Sequence, residues 1–270
     1  MEETAVRTER PLPPPPGVFR LWQLTGWLLI TTVLGGLSAW AALATERFFA
    51  QFLLFPLIVG VVLGGLLVAV MRLSRVGHRP TLLLGAALAV GLNVAGQHYL
   101  AYRQAIGQPD DNPAARALFP ERAPPATFWE FMIEEAGQGR IVGEHRIRGA
   151  GAWCTWALDA LLIAAPALIL VALSARLPYC NRCRSWYHLV RGRRTDAATA
   201  TALAERLGLK TGEIHQAKYR IIGCDGGCGP TGVALFWEDR EGVFSSGTVW
   251  LDAEQHAAVL AILDRPAGRR

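Results

Sequence analysis

The chain has 270 residues, of which 51% are apolar and only 18% charged, and its mean hydropathy is +0.25. The apolar residues gather in blocks with almost no charge inside them, so composition excludes both a purely soluble enzyme and an intrinsically disordered chain. The basic residues are nearly all arginine, only Lys210 and Lys218 being lysine, a bias that fits a GC-rich bacterial gene.

Residues 1–20 form a proline-rich tail (Pro11, Pro13, Pro14, Pro15, Pro16). Four apolar runs follow, at 21–44, 48–71, 81–102 and 152–175. Each reaches the length of about 20 residues that a helix needs to cross a bilayer core, and only a helix carries such a run through lipid with its backbone satisfied. The sequence thus predicts four transmembrane helices in a membrane domain over 21–179. A cleaved signal peptide is the rival reading of the first run, because Ala42-Leu43-Ala44 has the A-x-A form; its length and its long proline-rich preface argue against cleavage.

Arginine sets the direction. The loop between the second and third runs holds Arg72, Arg75 and Arg79 with no acid, and Arg176, Arg182, Arg184, Arg191, Arg193 and Arg194 follow the fourth. Loop 103–151 has six arginines against seven acids, with no cluster at a membrane end. By the positive-inside rule both termini are cytoplasmic and loop 103–151 is extracytoplasmic, in a bacterial inner membrane.

Within the runs, small residues recur at spacing four: Gly60 with Gly64, Gly35 with Ala39, Gly85 with Ala89. They predict close helix packing inside the bundle, with a homodimer seam at Gly60 and Gly64 as the alternative. Pro56 and Pro166 are expected to bend their helices. Asp159 is the one ionisable group deep in a run, and such groups face protein or a water-filled cavity. Counting inward, Asn93 and Asp159 both lie seven residues, about 10 Å, below the outer surface, with Gln97 and Thr155 matched at a shallower level. A buried polar seam of Asn93, Gln97, Thr155 and Asp159 is expected between the third and fourth helices, with His98 near its mouth. It reads as an interhelical hydrogen-bond clamp or, alternatively, as a proton or ligand site.

The outer loop offers one amphipathic helix, capped by Thr127 and ending at Gly137, whose aromatic residues suit a position over the bundle or at the interface. Arg140 to Arg148 predicts a short ribbon.

Residues 180–270 predict a small α+β domain. It should contain a helix capped by Thr195 or Asp196 and stopped at Gly208. Three antiparallel strands are expected at 214–222, 232–237 and 248–251, then a last helix opened by a capping box of Asp252 and Gln255. Two cysteine pairs, Cys180/Cys183 and Cys224/Cys228, stand about 40 residues apart, the second on a glycine-rich hairpin tip. Four thiolates suit tetrahedral Zn(II), and short spacers let each pair chelate one edge of the tetrahedron. The arrangement resembles zinc-ribbon modules at the level of the class, over residues 179–251. Such a resemblance implies a structural zinc held by the four cysteines. His188, five residues beyond Cys183, is a substitute ligand by position, with a solvated histidine as the preferred reading.

A cytoplasmic module is not expected to form disulfides. The first pair follows a helix C-terminus, the wrong end of the dipole for a reactive thiolate. The sequence contains no HExxH, phosphate loop or G-x-S-x-G. The leading expectation is therefore a non-enzymatic membrane scaffold or partner-docking protein, with a transporter or channel component using the Asp159 seam second and a thiol-redox enzyme third. The expected partners are the lipid bilayer, a cytoplasmic protein and a second copy of the chain. Nucleic acid is not expected, because a positive-inside flank accounts for Arg191-Gly-Arg-Arg194.

Overall fold

A computed structural model describes residues 12–14, 17–46, 53–107, 125–142 and 144–264. They fall into two compact units: a helical one, Phe19–Arg176, and an α+β one formed by Leu177–Arg270 with Met1–Val18. Residues 1–11 and 15–16 of the tail, the link through Arg47 and the outer loop from 108 to 124 lie outside the described residues.

The helical unit contains α1 (Leu21–Glu46), α2 (Leu54–Leu73) and α3 (Arg79–Gly107), then α4 (Phe128–Gln138), the hairpin β1 (Arg140–Val142) and β2 (His145–Ile147), and α5 (Ala150–Ser174). Helices α1, α2, α3 and α5 are each long and apolar enough to cross a membrane. The small residues are where the helices meet most closely. A Cβ added at Gly60 would lie 2.8 Å from the Cα of Ile163, one at Gly64 2.8 Å from the Cα of Ala167, and one at Gly35 3.0 Å from the Cα of Ala89. So α2 packs on α5 and α1 on α3 by backbone approach, and Gly60 and Gly64 face a helix of the same chain. Gly85 is covered by Trp27, whose buried Nε1 donates to Leu82 O at 3.4 Å. Pro56 stands in the first turn of α2, where a missing N–H removes no helical bond; Pro166 is interior to α5.

The two ends of this unit differ. At one end Gln23 donates to Arg75 O (3.3 Å), Phe19 meets His78 edge-on, and Arg79 donates to Arg176 O (3.3 Å). At the other, Tyr99, Tyr102, Phe128 and Phe131 cluster, and Trp153 touches both Trp129 and Trp156. Helix α4 opens with the expected cap: Thr127 and Glu130 form a reciprocal capping box. It runs past Gly137 and stops at Gly139, whose φ of +80° an L side chain rarely adopts.

The α+β unit begins with a two-residue hairpin, β3 (Tyr179–Cys180) paired with β4 (Ser185–Trp186), and continues through β5 (His188–Thr195), α6 (Ala197–Leu207), β6 (Ile214–Gly223), β7 (Thr231–Asp239), β8 (Phe244–Leu251) and α7 (Ala253–Leu263). Strands β5, β6, β7 and β8 form one antiparallel sheet in that order. The sheet has four strands where the sequence predicts three. The extra one, β5, carries Arg191, Arg193 and Arg194 and shows no apolar alternation, because it is an edge strand with little to bury. Ala200, Leu203, Ala204 and Leu207 of α6 and Val259 of α7 pack with Tyr219, Ile221, Val233, Leu235, Val249 and Leu251 to make the core. Asp196 caps α6 and Gly208 ends it in the left-handed conformation, and the Asp252–Gln255 capping box opens α7.

Candidate metal centre

Each cysteine pair is placed by a turn that its neighbours dictate. The β3–β4 pairing sets Cys180 opposite Ser185, and the knuckle between them closes through Arg184 at φ +55°. The second pair sits on the loop from β6 to β7, where Gly227 adopts φ +56° and its N–H donates to Cys224 O at 3.0 Å. The neighbouring glycines are required by space rather than by φ. A Cβ at Gly226 would come within 3.1 Å of Cys183 Cβ and 3.7 Å of the sulfurs of Cys183 and Cys228, and one at Gly229 would strike the Tyr187 hydroxyl.

The four sulfurs of Cys180, Cys183, Cys224 and Cys228 all lie within 4.8 Å of one another and could hold a metal ion. Cys180 Sγ is 3.5 Å from Cys228 Sγ, which is 3.9 Å from Cys224 Sγ. Metal–sulfur bonds of about 2.3 Å in a tetrahedron place sulfurs about 3.8 Å apart, so the cluster needs little adjustment to accept one ion. Cys180 and Cys224 are buried, and all four thiols are free. Beneath them Tyr187 is fully buried; its hydroxyl donates to Pro230 O at 2.9 Å and its ring meets Trp250 edge-on.

Without a cation the thiols differ in acidity. Burial pushes the Cys183 thiol up, but hydrogen bonds from Ser185, Cys180 and the Gly226 N–H outweigh it and bring it down to about 6. Burial raises Cys180. Hydrogen bonding to Cys180 and Cys183, with burial, holds Cys228 up at about 12. Burial first, and then the surrounding thiolates, raises Tyr187. The cluster therefore carries one easily formed thiolate, at Cys183, and a cation is what would allow Cys180 and Cys228 to ionise beside it. His188 stands outside the set: its Nδ1 lies 3.2 Å from Asp225, and both side chains are solvent-exposed. Cys154 belongs to α5 in the helical unit.

No protein-family model, curated protein or solved structure matches this chain.

The polar residues of the helical unit are arranged differently from the expected seam. Asn93 is fully buried but faces α1, donating to Ser38 Oγ at 2.8 Å, and its own Oδ1 accepts from Gln97 at 2.8 Å. Thr155 donates to Ala152 O within its own helix at 2.7 Å. Asp159 pairs with Arg140 of β1 rather than with Asn93. Equal depth does not make partners, because depth says nothing of the direction in which a side chain leaves its helix. Sequence reasoning misses Ser38 and Arg140 as partners, and only Arg140 has a sequence signal, as a cation close after the outer helix. Gln97 and Asp159 do line one cavity of about 210 Å³, together with His98, Glu135, Arg140 and Trp156.

Proposed function

We propose that this chain is a multi-pass protein of a bacterial inner membrane whose α+β unit is a cytoplasmic module stapled by one structural Zn(II), and that it acts as a scaffold or docking platform. The observation that carries this reading is the convergence of four thiols from two separate loops. A four-sulfur set suits Zn(II) by softness and geometry and leaves no coordination position open for chemistry. The need for a staple is physical, since the module's apolar core is one sheet face and two short helices.

Supporting the membrane reading, Arg72 at the end of α2, Arg75 in the following turn and Arg79 at the start of α3 share one end of the helical unit with the start of α1 and with Arg176, whereas tyrosine and tryptophan gather at the other. A basic end and an aromatic belt are what a cytoplasmic and an outer interface select. Val18, just before α1, donates to Asn181 Oδ1, just after α5, at 3.2 Å, which agrees with both flanks lying on one side.

The test is metal analysis of the purified full chain in detergent. One zinc per chain is expected, lost in Cys183→Ser and in Cys228→Ser but kept in Cys154→Ser. Zinc removal should lower the melting temperature, because structural zinc binding is worth on the order of 10 kcal/mol and is coupled to folding. A folded, metal-free chain indifferent to chelator would overturn the reading.

The cavity at Asp159 supports a second reading, a site for a small polar ligand or a proton. One Asp159 oxygen is buried with no hydrogen-bond partner among the described residues, and intramembrane carboxylates commonly serve such sites. Uptake into oriented vesicles that is lost in folded Asp159→Asn would favour this reading over the scaffold.

A further inference from the structure

Helices α6 and α7 cover one face of the β5–β8 sheet; on the other face the Ile222–Trp250 end packs under Tyr187 and the cysteines, and the end towards Arg194 and Phe244 is open. The register assigns its side chains. One rung crosses all four strands as Arg194, Lys218, Phe236 and Ser246; the neighbouring rungs bring Arg220 opposite Gly192, and Phe244 opposite Glu238. Like charges set directly across a strand pair are destabilising, so folding alone gives no reason for Arg194 to face Lys218. Neither forms an ion pair among the described residues, whereas Arg191 and Arg240 are paired with Asp264 and Glu213. Strand alternation thus divides the arginine run that reads as a simple membrane flank: Arg191 is tied to Asp264, and Arg194 is delivered to the open face.

Two phenyl rings stand beside these cations. Phe244 is 78% exposed and Phe236 38%, exposures no core requires, and the Arg220 guanidinium lies 5.3 Å from the Phe236 centroid. Arg194, Lys218, Arg220, Phe236 and Phe244 line a common groove of about 580 Å³. Phe236 and Phe244 occupy diagonal positions on adjacent strands, about 7 Å apart for such pairs, a spacing that suits two successive unstacked bases. Glu238 also lines the groove, the one acid among its described lining residues.

We propose that the open sheet face binds a short single-stranded nucleic acid, with bases stacked on Phe236 and Phe244 and phosphates held by Arg194, Lys218 and Arg220. A flat sheet with exposed aromatic rings and a basic margin combines the stacking platform and the electrostatic attraction that single strands need. An acidic peptide or an anionic lipid would satisfy the charge but leaves the two flat rings without a use.

The test uses the full chain in non-ionic detergent and the fluorescence anisotropy of a labelled oligo-uridine of about eight nucleotides, a usual site size for such surfaces. Binding that weakens with salt is expected. Phe244→Ala should weaken it about 5- to 100-fold, Phe244→Leu similarly, and Phe244→Trp should preserve it because an indole stacks as a phenyl does. Lys218→Ala and Arg194→Ala should each flatten the salt dependence by about 0.7 in the logarithmic slope, whereas Arg240→Ala, away from the groove, should change neither. Melting temperature checks that each variant is folded, and Phe244 is exposed enough to be replaced without unfolding. Absence of binding, indifference to Phe244→Ala and Phe244→Leu, or equal binding of a duplex of the same length would overturn the proposal. So would equal competition by a glutamate-rich peptide or by phosphatidylglycerol vesicles, which would assign the face to that partner instead.

Discussion

Gly229 has a role that only its surroundings reveal. A Cβ there would strike the Tyr187 hydroxyl and lie 3.6 Å from Cys180 Sγ, so the residue lets a buried tyrosine support the cysteine loops from below. Gly229→Ala should loosen the site without removing a ligand. We expect zinc affinity about 10- to 100-fold lower, the scale seen when supporting residues of metal sites are changed, measured by competition with a chromophoric chelator. Asp196 makes a second residue-scale prediction. The Thr199 N–H, donating to its carboxylate at 2.9 Å, holds the group below the usual carboxylate range. A depressed folded value means stabilisation that is complete above the unfolded value near 4 and is lost as pH falls through the folded one. Asp196→Ala should therefore cost about 1 kcal/mol at neutral pH, and the gap between variant and parent should close as the pH of the melt is taken below about 4. A constant gap across that range would show that the carboxylate charge is not what caps α6.

At the scale of elements, the helix pairs are decided by backbone approach. Gly60 meets Ile163 and Pro166, and Gly64 meets Ala167, while Gly65 next to them has nothing within 4 Å of its added Cβ. Gly60→Val should separate α2 from α5 and lower the detergent melting temperature; loss of about 1–3 kcal/mol is the usual scale for forcing bulk into a close contact. Gly65→Val should be tolerated. Equal sensitivity at both positions would mean that α2 presents a different face. The small-residue pattern is legible in the sequence as packing, but the partner helix is not, since GxxxG marks a close approach without naming what approaches. Strand β5 makes the converse point. Its arginine-rich edge carries no burial signal, and it joins the sheet through backbone pairing with β6 from His188 to Thr195, which no side-chain pattern announces.

At the scale of the whole molecule, the expected orientation has a direct test. A reporter active only in the cytoplasm should be active when fused after Arg184 and silent when fused near Asn112; the reverse would invert the orientation and remove the argument against disulfides. Four helix-length apolar runs, the capping residues Thr127, Asp196 and Asp252, and the two cysteine pairs are all legible in the sequence by itself, because each is a signal carried within a few turns of chain. Hydropathy, capping and ligand spacing act between near neighbours and survive whatever the rest of the protein does. The tertiary structure alone decided that Asp159 pairs with Arg140, that Asn93 faces Ser38, and that the two cysteine loops bring their sulfurs together. It also decided that Arg194 and Lys218 share a rung with Phe236. Those pairings join residues distant in sequence, and they depend on how each helix is rotated and each strand registered, quantities set by the summed packing of all the elements and by no local pattern.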